Sequence, residues 1–267
     1  MHTHELSLIS VPFILAETES FQVRIAATAD EIDAALRLRF TVFNLEMYEG
    51  LAASFDSGKD TDRYDEHCDH LIVEQRATGR IVGTYRLLRG DVAVRTVGFY
   101  SENEFDVTPF RIHYRESLEL GRSCVAKEFR SLAVINLLWT GIARYIEHYG
   151  ISYLFGCASF HTNDASEIAA AYAYLQLFHQ APEEFRTAPV SSCVMELPQR
   201  LLSSQEIEKA FDRFPPLVKG YLRLGARICG APAYDREFGT TDFLIVVDAG
   251  RIAEKYRRHY IQEPKAA

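Results

Sequence analysis

The sequence predicts a mixed α/β fold of the α+β kind, in which a largely antiparallel sheet surrounds one parallel strand pair and helices flank the whole. Three observations lead there. Residues 117–155, SLELGRSCVAKEFRSLAVINLLWTGIARYIEHYGISYLF, read as strand, helix, strand, the unit that sets two strands parallel. Residues 70–75 and 80–88 alternate polar and apolar side chains around Ala77-Thr78-Gly79, a hairpin signal. A chain of 267 residues, 48% hydrophobic, can bury an ordinary core, and no linker, repeat or low-complexity run divides it.

The elements follow in order. Residues 6–16 are apolar, but they contain Pro12, follow Glu5 and are too short to span a bilayer, so residues 1–20 are expected as a lead-in segment. Alternation over 21–27 predicts a strand, and Thr28 with Glu31 forms a capping box that opens a helix to about Met47. A polar, acidic loop then covers 55–69 before the hairpin. Residues 118–125 read as a strand. Ile135, Leu138, Trp139, Ile142, Tyr145 and Ile146 recur at helical spacing over 132–149, and Gly150 stops that helix. The strand 151–158 completes the parallel pair. Asn163 or Asp164 caps a helix to about Phe178, residues 190–197 and 243–247 read as strands, and Pro216 after Pro215 opens a further helix. Residues 21–200 are expected as the core, with 201–267 packed on the same domain.

Charge and cysteines narrow the function classes. A net charge of −8 without a dense basic face disfavours nucleic acid as a partner. The cysteines Cys68, Cys124, Cys157, Cys193 and Cys229 are odd in number and lack C-x-x-C spacing, which points to a reducing cytoplasm rather than a disulfide framework. His67-Cys68-Asp69-His70 prompts a metal check. Successive residues at a strand entry face opposite ways and no second ligand pair lies near, so no metal is expected.

Glu119 and Arg122 stand out because they sit on an otherwise apolar strand, where charges need a partner or a task. Strand alternation would aim positions three apart in opposite directions, but Gly121 between them suggests a bulge that places both on one face. A structural ion pair at a sheet edge is the plainer alternative. Where a parallel pair splays apart, strand N–H groups become available to an incoming thioester carbonyl.

The blocks LELGRSCV, LLWTGIARYI and YLFGCASF resemble the GNAT-fold N-acyltransferases that make lyso-ornithine lipid from ornithine and acyl-acyl carrier protein. Residues 214–247, FPPLVKGYLRLGARICGAPAYDREFGTTDFLIVV, resemble the carboxyl-terminal signature of that group. LRLRFTVF, YDEHCDHLIV and GRIVGTYRLL, within residues 36–88, also resemble acyl-homoserine lactone synthases. The resemblance implies a GNAT-like fold with a splayed parallel pair, and transfer of a long, 3-hydroxylated acyl chain to the α-amine of ornithine.

It also implies roles. Glu119 is the candidate base, directly or through water, and His161 its rival; an ordinary carboxylate is a weak base for an ammonium group, so burial or a water relay is required. Arg122, Arg86 or Arg39 would hold the acceptor carboxylate, and Asp65, Asp69 or Glu66 its distal ammonium. No cofactor is expected beyond the phosphopantetheine of the carrier protein. Coenzyme A users of this superfamily carry a glycine-rich turn after the first strand of the pair, whereas residues 126–133 contain no glycine, which favours the carrier protein. Acyl carrier proteins are acidic, and Lys127, Arg130 and Arg144 would form their docking patch. The tail Arg251, Lys255, Arg257 and Arg258 could meet anionic lipid, giving peripheral contact with the inner face of the membrane. Acylation of another amine such as glycine, lactone synthesis, and a non-catalytic acyl-carrier or membrane-binding protein stay open as alternatives.

Overall fold

The computed structural model describes residues 13–252 and residue 254. In chain order the strands and helices are β1 (Ile14–Glu17), β2 (Phe21–Ile25), α1 (Ala29–Phe40), α2 (Ser54–Ser57), β3 (Asp69–Gln75), β4 (Arg80–Arg89), α3 (Gly90–Ala93) and β5 (Ser117–Val125). There follow α4 (Leu132–Tyr149), β6 (Tyr153–Phe160), α5 (Ala165–His179), α6 (Ser204–Ala210), α7 (Pro216–Arg223), β7 (Arg227–Ile228), β8 (Ala233–Asp235) and β9 (Thr240–Asp248). The expected lead-in thus carries a strand, β1, while its residues 6–12 lie outside the described residues, as do Lys255, Arg257 and Arg258. No described helix is long and apolar enough to cross a membrane.

The chain folds into two compact units, each built from separate stretches: Met1–Leu87 with Arg122–His148, and Leu88–Gly121 with Tyr149–Ala267. Strand β5 passes from the second unit to the first between Gly121 and Arg122.

In the first unit, β1, β2, β3 and β4 form successive antiparallel pairs. Strand alternation sends Leu71 to one face of this sheet and Ile72 to the other. Helix α4 covers the Leu71 face, and it comes so close that a Cβ on Gly141 would lie 2.7 Å from Val23 Cγ2. Helix α1 covers the opposite face through Ala35 and Leu38, which pack with Ile72 and Ile81. Its start matches the capping box: Thr28 Oγ1 accepts the Glu31 N–H at 3.3 Å and Glu31 Oε2 accepts the Thr28 N–H at 3.1 Å. The helix continues as a π-helical turn, Thr41–Glu46, close to the expected end at Met47.

In the second unit, β5 and β6 form the parallel pair, with Ser117 opposite Tyr153, Leu118 opposite Leu154 and Glu119 opposite Phe155. Strand β9 runs antiparallel along the whole of β6, and β7 and β8 pair with β9. The register assigns the faces. Ala158 and Phe243 are paired, and Phe243 meets Tyr172 of α5, so α5 lies on that side. Glu119, Phe155 and Cys157 point to the other side, together with Asp242, the partner of Ser159.

At Gly156 a Cβ would fall 2.4 Å from the Leu120 carbonyl oxygen, so the two parallel strands approach as closely as backbone allows. Gly156→Ala is therefore expected to destabilise the protein by about 1–3 kcal/mol through overpacking. Urea denaturation checks this, and an unchanged midpoint would show that the strands part there without cost.

Two local expectations are revised. Residues 190–197 are not a strand: Ser191–Cys193 form a 3-10 turn, and ladder contact is confined to one bridge between Val194 and Ala233. Pro189 and Pro198 flank this segment and lack the N–H groups a ladder needs. The irregularity in β5 falls at Arg122, whose φ of 50° is left-handed, rather than at Gly121. A bulky residue there costs of order 1–3 kcal/mol, a strain that clusters at functional sites.

Candidate active site

The first unit gathers four of the charged residues singled out in the sequence. Arg39 on α1 donates from Nη1 and Nη2 to the two carboxylate oxygens of Asp65, at 2.6 and 3.2 Å, and from Nε to Asp60 at 2.9 Å. Arg86 on β4 donates to Asp62 at 2.7 Å and to Asp65 at 3.3 Å. Arg122 reaches Asp62 at 3.1 Å and lies 3.4 Å from Asp60. Three guanidinium groups and three carboxylates thus alternate, which is how a buried charge cluster stays neutral.

Exposure divides the cluster. The side chains of Arg39 and Asp60 are 1% and 0% exposed, so they position the others, whereas Arg122 at 10% and Asp62 at 16% reach solvent. Burial alone would raise the Asp65 carboxyl, but the charges of Arg39 and Arg86 hold it well below the usual carboxylate range. His70, the last residue of the metal-check motif, is buried with Nε2 at 3.2 Å from the Asp65 carbonyl oxygen. Burial lowers its proton affinity, so it is a neutral prop to the cluster. Asp69 stands apart: it accepts the Tyr145 hydroxyl at 2.5 Å.

Glu119 belongs to the second unit. Its buried carboxylate accepts the Tyr100 N–H at 2.8 Å, the Ser101 N–H at 2.7 Å and the Ser101 hydroxyl at 2.6 Å. Tyr100 and Ser101 open a 3-10 turn (Tyr100–Asn103), so the carboxylate satisfies amides that have no partner within the turn. The same Ser101 Oγ accepts from Cys157 Sγ at 3.6 Å. His161 is exposed just beyond β6.

The residues expected to dock a carrier protein are all exposed in the first unit. Lys127 lies on a 3-10 turn after β5, Arg130 follows it and also donates to the Val125 carbonyl at 3.0 Å, and Arg144 on α4 pairs with Glu147 at 3.3 Å. A cleft of about 670 Å³ in the second unit, bordered by Tyr153, Phe178, Arg186, Arg227 and the tail residue Arg251, contains none of the candidate catalytic, acceptor-binding or carrier-docking residues.

Sequence reasoning missed Asp60 and Asp62, although both stand in the acidic loop it marked. Nothing local distinguishes a carboxylate that meets an arginine from one that meets water. Ser101 was equally invisible, because its role depends on a turn eighteen residues before Glu119.

Residues 38–140 match a family model described as an acetyltransferase (GNAT) domain. The chain is 38% identical over 255 residues to an L-ornithine N(alpha)-acyltransferase of Rhizobium meliloti, covering 92% of this chain and 86% of the relative. It is 39% identical over 259 residues to the enzyme of that name from Brucella abortus, covering 92% and 91%. Among solved structures, an N-acyl amino acid synthase from uncultured soil microbes, FeeM, superposes with a TM-score of 0.52 at 13% identity, covering 91% of this chain and 97% of that one. At that identity the likeness speaks to the fold.

Proposed function

Since the chain belongs to the L-ornithine N(alpha)-acyltransferase family, we propose that it transfers a fatty acyl group from a thioester to the α-amine of ornithine, the first step toward an ornithine lipid. The acyl donor in this reading is acyl carrier protein and the chain a long 3-hydroxylated one.

Beside the relatives, one observation carries the reading. The paired register of β5 with β6 ends at Glu119 and Phe155 although β6 runs on to Phe160, so in this reading the pair parts past the close approach at Gly156, next to a buried carboxylate. Acyl transfer requires both features. The amine nitrogen attacks the thioester carbon, and negative charge collects on the carbonyl oxygen, where strand N–H groups are suitable donors. Collapse breaks the C–S bond. The ammonium proton has passed to Glu119, or to a water it holds, before the attack, and as the amide forms the nitrogen gives its second proton to the departing sulfur, which leaves as the thiol.

The donor assignment draws on the segment after β5. Residues 126–133 hold no glycine; Lys127–Phe129 form a 3-10 turn and α4 begins at Leu132, so this segment lacks the glycine-rich cradle that a nucleotide pyrophosphate favours. The exposed cations Lys127, Arg130 and Arg144 suit an acidic carrier. In the first unit, Arg122 and Asp62 are where the charge cluster can meet a small charged ligand.

The test offers purified protein 3-hydroxyacyl-carrier protein or the matching coenzyme A thioester, each with a panel of amino acids, and identifies products by mass. N-acyl-ornithine formed faster from the carrier protein is the expected result. Equal rates from both thioesters would overturn the donor assignment, a product with glycine but not ornithine would overturn the acceptor, and no thioester consumption would overturn the enzyme reading.

A further inference from the structure

Glu104 follows the turn that holds Glu119, and it is buried against the face of β6 and β9 opposite α5. Its neighbours are acidic. Carboxylate or thiol atoms of Glu104, Cys157 and Asp242 lie within 4.8 Å of one another, and Glu104 and Asp242 are each 3% exposed. Glu104 Oε1 accepts from Cys157 Sγ at 3.7 Å, while Oε2 is buried with no hydrogen-bond partner among the described residues. Asp242 accepts the Thr240 hydroxyl at 3.0 Å, and Asp235 accepts the Tyr100 hydroxyl at 3.2 Å and two turn amides.

A buried carboxyl oxygen without a donor is unfavourable, so such an arrangement calls for something that brings a donor to it. Burial, then the charges of Asp242 and Asp235, push the Glu104 carboxyl well above its ordinary range. The excess is of negative charge, and a cation would relieve it. Cys157 makes a metal ion a poor fit, because burial and Glu104 hold its thiol in the protonated form, whereas metal ligation needs the thiolate. An ammonium group brings three N–H donors and needs no thiolate.

The cluster is also connected to the candidate base. Ser101 Oγ donates to Glu119 at 2.6 Å, and the single S–H of Cys157 lies within reach of either Ser101 Oγ, at 3.6 Å, or Glu104 Oε1, at 3.7 Å. The acidic cluster therefore stands two side chains, Ser101 and Cys157, from the candidate base.

We propose that Glu104 and Asp242, with Asp235 adding its field, seat the side-chain ammonium of a diamino-acid acceptor and thereby select ornithine over amino acids whose side chain carries no cation. This inference rests on the acyl-transfer reading above. Of the sequence candidates for that ammonium, Asp65 and Asp69 are taken up by Arg39 and by Tyr145, and Glu66 is exposed on the turn beside Asp65.

The experiment compares ornithine with norvaline, which keeps the carbon skeleton and lacks the terminal amine, in wild type, E104Q and D242N. The ratio of kcat/KM for ornithine over norvaline is expected to fall roughly 100-fold in E104Q, the effect of losing one hydrogen bond to a charged group. An equal loss with both acceptors, or an unchanged ratio in both variants, would overturn the proposal. Calorimetric titration of ornithine without any acyl donor forms a second arm. Should no thioester be consumed, the functional reading fails by itself, yet ornithine binding that E104Q weakens still supports the acidic seat, and absent or equal binding refutes it. A stoichiometric metal ion found in wild type and lost in E104Q would also refute it. E104Q keeps the size of the side chain, removes the charge that would face the ammonium and relieves the crowding of Glu104 against Asp242 and Asp235, so it is expected to melt no lower than wild type; if it does not fold, D242N carries the comparison.

Discussion

Glu119→Gln is expected to reduce turnover by roughly 10²–10⁴-fold, the range in which general acid–base groups act, and at the same time to weaken the fold. The second effect arises from the three donors on this carboxylate. A glutamine offers one acceptor oxygen and one NH2 group, so either the Tyr100 N–H or the Ser101 pair would face a donor instead of an acceptor. Leaving a buried N–H unsatisfied costs about 1–3 kcal/mol. The two effects are separable. Single-turnover acyl transfer, measured well below the variant's unfolding midpoint, reports the chemistry, and urea denaturation reports the fold. A variant that is destabilised but transfers acyl groups at near wild-type rate would leave Glu119 as the anchor of the 3-10 turn and dismiss it as base.

Arg39→Met should be the most destabilising single change in the charge cluster, by about 3–5 kcal/mol, because it leaves buried Asp60 with only the longer contact to Arg122 and Asp65 with only Arg86. Removing a buried charge partner costs far more than removing an exposed one; Arg144→Ala, at a surface pair with Glu147, should change stability by under about 1 kcal/mol. The acid limb provides a second readout. Asp65 has its carboxyl lowered in the folded protein, so its contribution is present above the ordinary aspartate value and is lost as pH falls below about 4. The stability of Arg39→Met should therefore fall less steeply than wild type over that range, since only Arg86 remains to hold Asp65 ionised. Parallel slopes in the two proteins would show that Arg39 does not tune Asp65.

Much of the fold was legible because its signals are local. Helix α4 occupies 132–149 as its apolar spacing indicates, and the box at Thr28 and Glu31 closes as drawn. The parallel pair followed from a strand, helix, strand order. The short turns over 100–116 gave no comparable signal, since 3-10 segments of a few residues impose no sustained period on the sequence. The same division runs through the candidate site. Arg122 was suspect as a charge on an apolar strand, Arg39, Asp65 and Arg86 as acceptor-binding candidates once the resemblance was drawn, and the four do meet. That Asp60 and Asp62 complete their circle is tertiary information. The cluster of Glu104, Cys157 and Asp242 joins residues from three remote parts of the chain, one on a turn that the sequence did not reveal and one on a strand end, so no spacing within any window marked it.

Because β5 crosses between units at Gly121 and Arg122, neither unit is a continuous stretch of polypeptide, and this governs how the molecule can be made. During synthesis the first unit lacks α4, the helix that covers its Leu71 face, until the chain has been made to His148, and by then residues 88–121 of the other unit have already been added. The second unit stays open longer still, because β9 supplies the strand along which β6 pairs. Contacts between such distant positions close late and slowly. Neither unit can be obtained by trimming an end, and the nascent chain carries exposed strand edges for most of its translation, a window in which chaperone protection matters most.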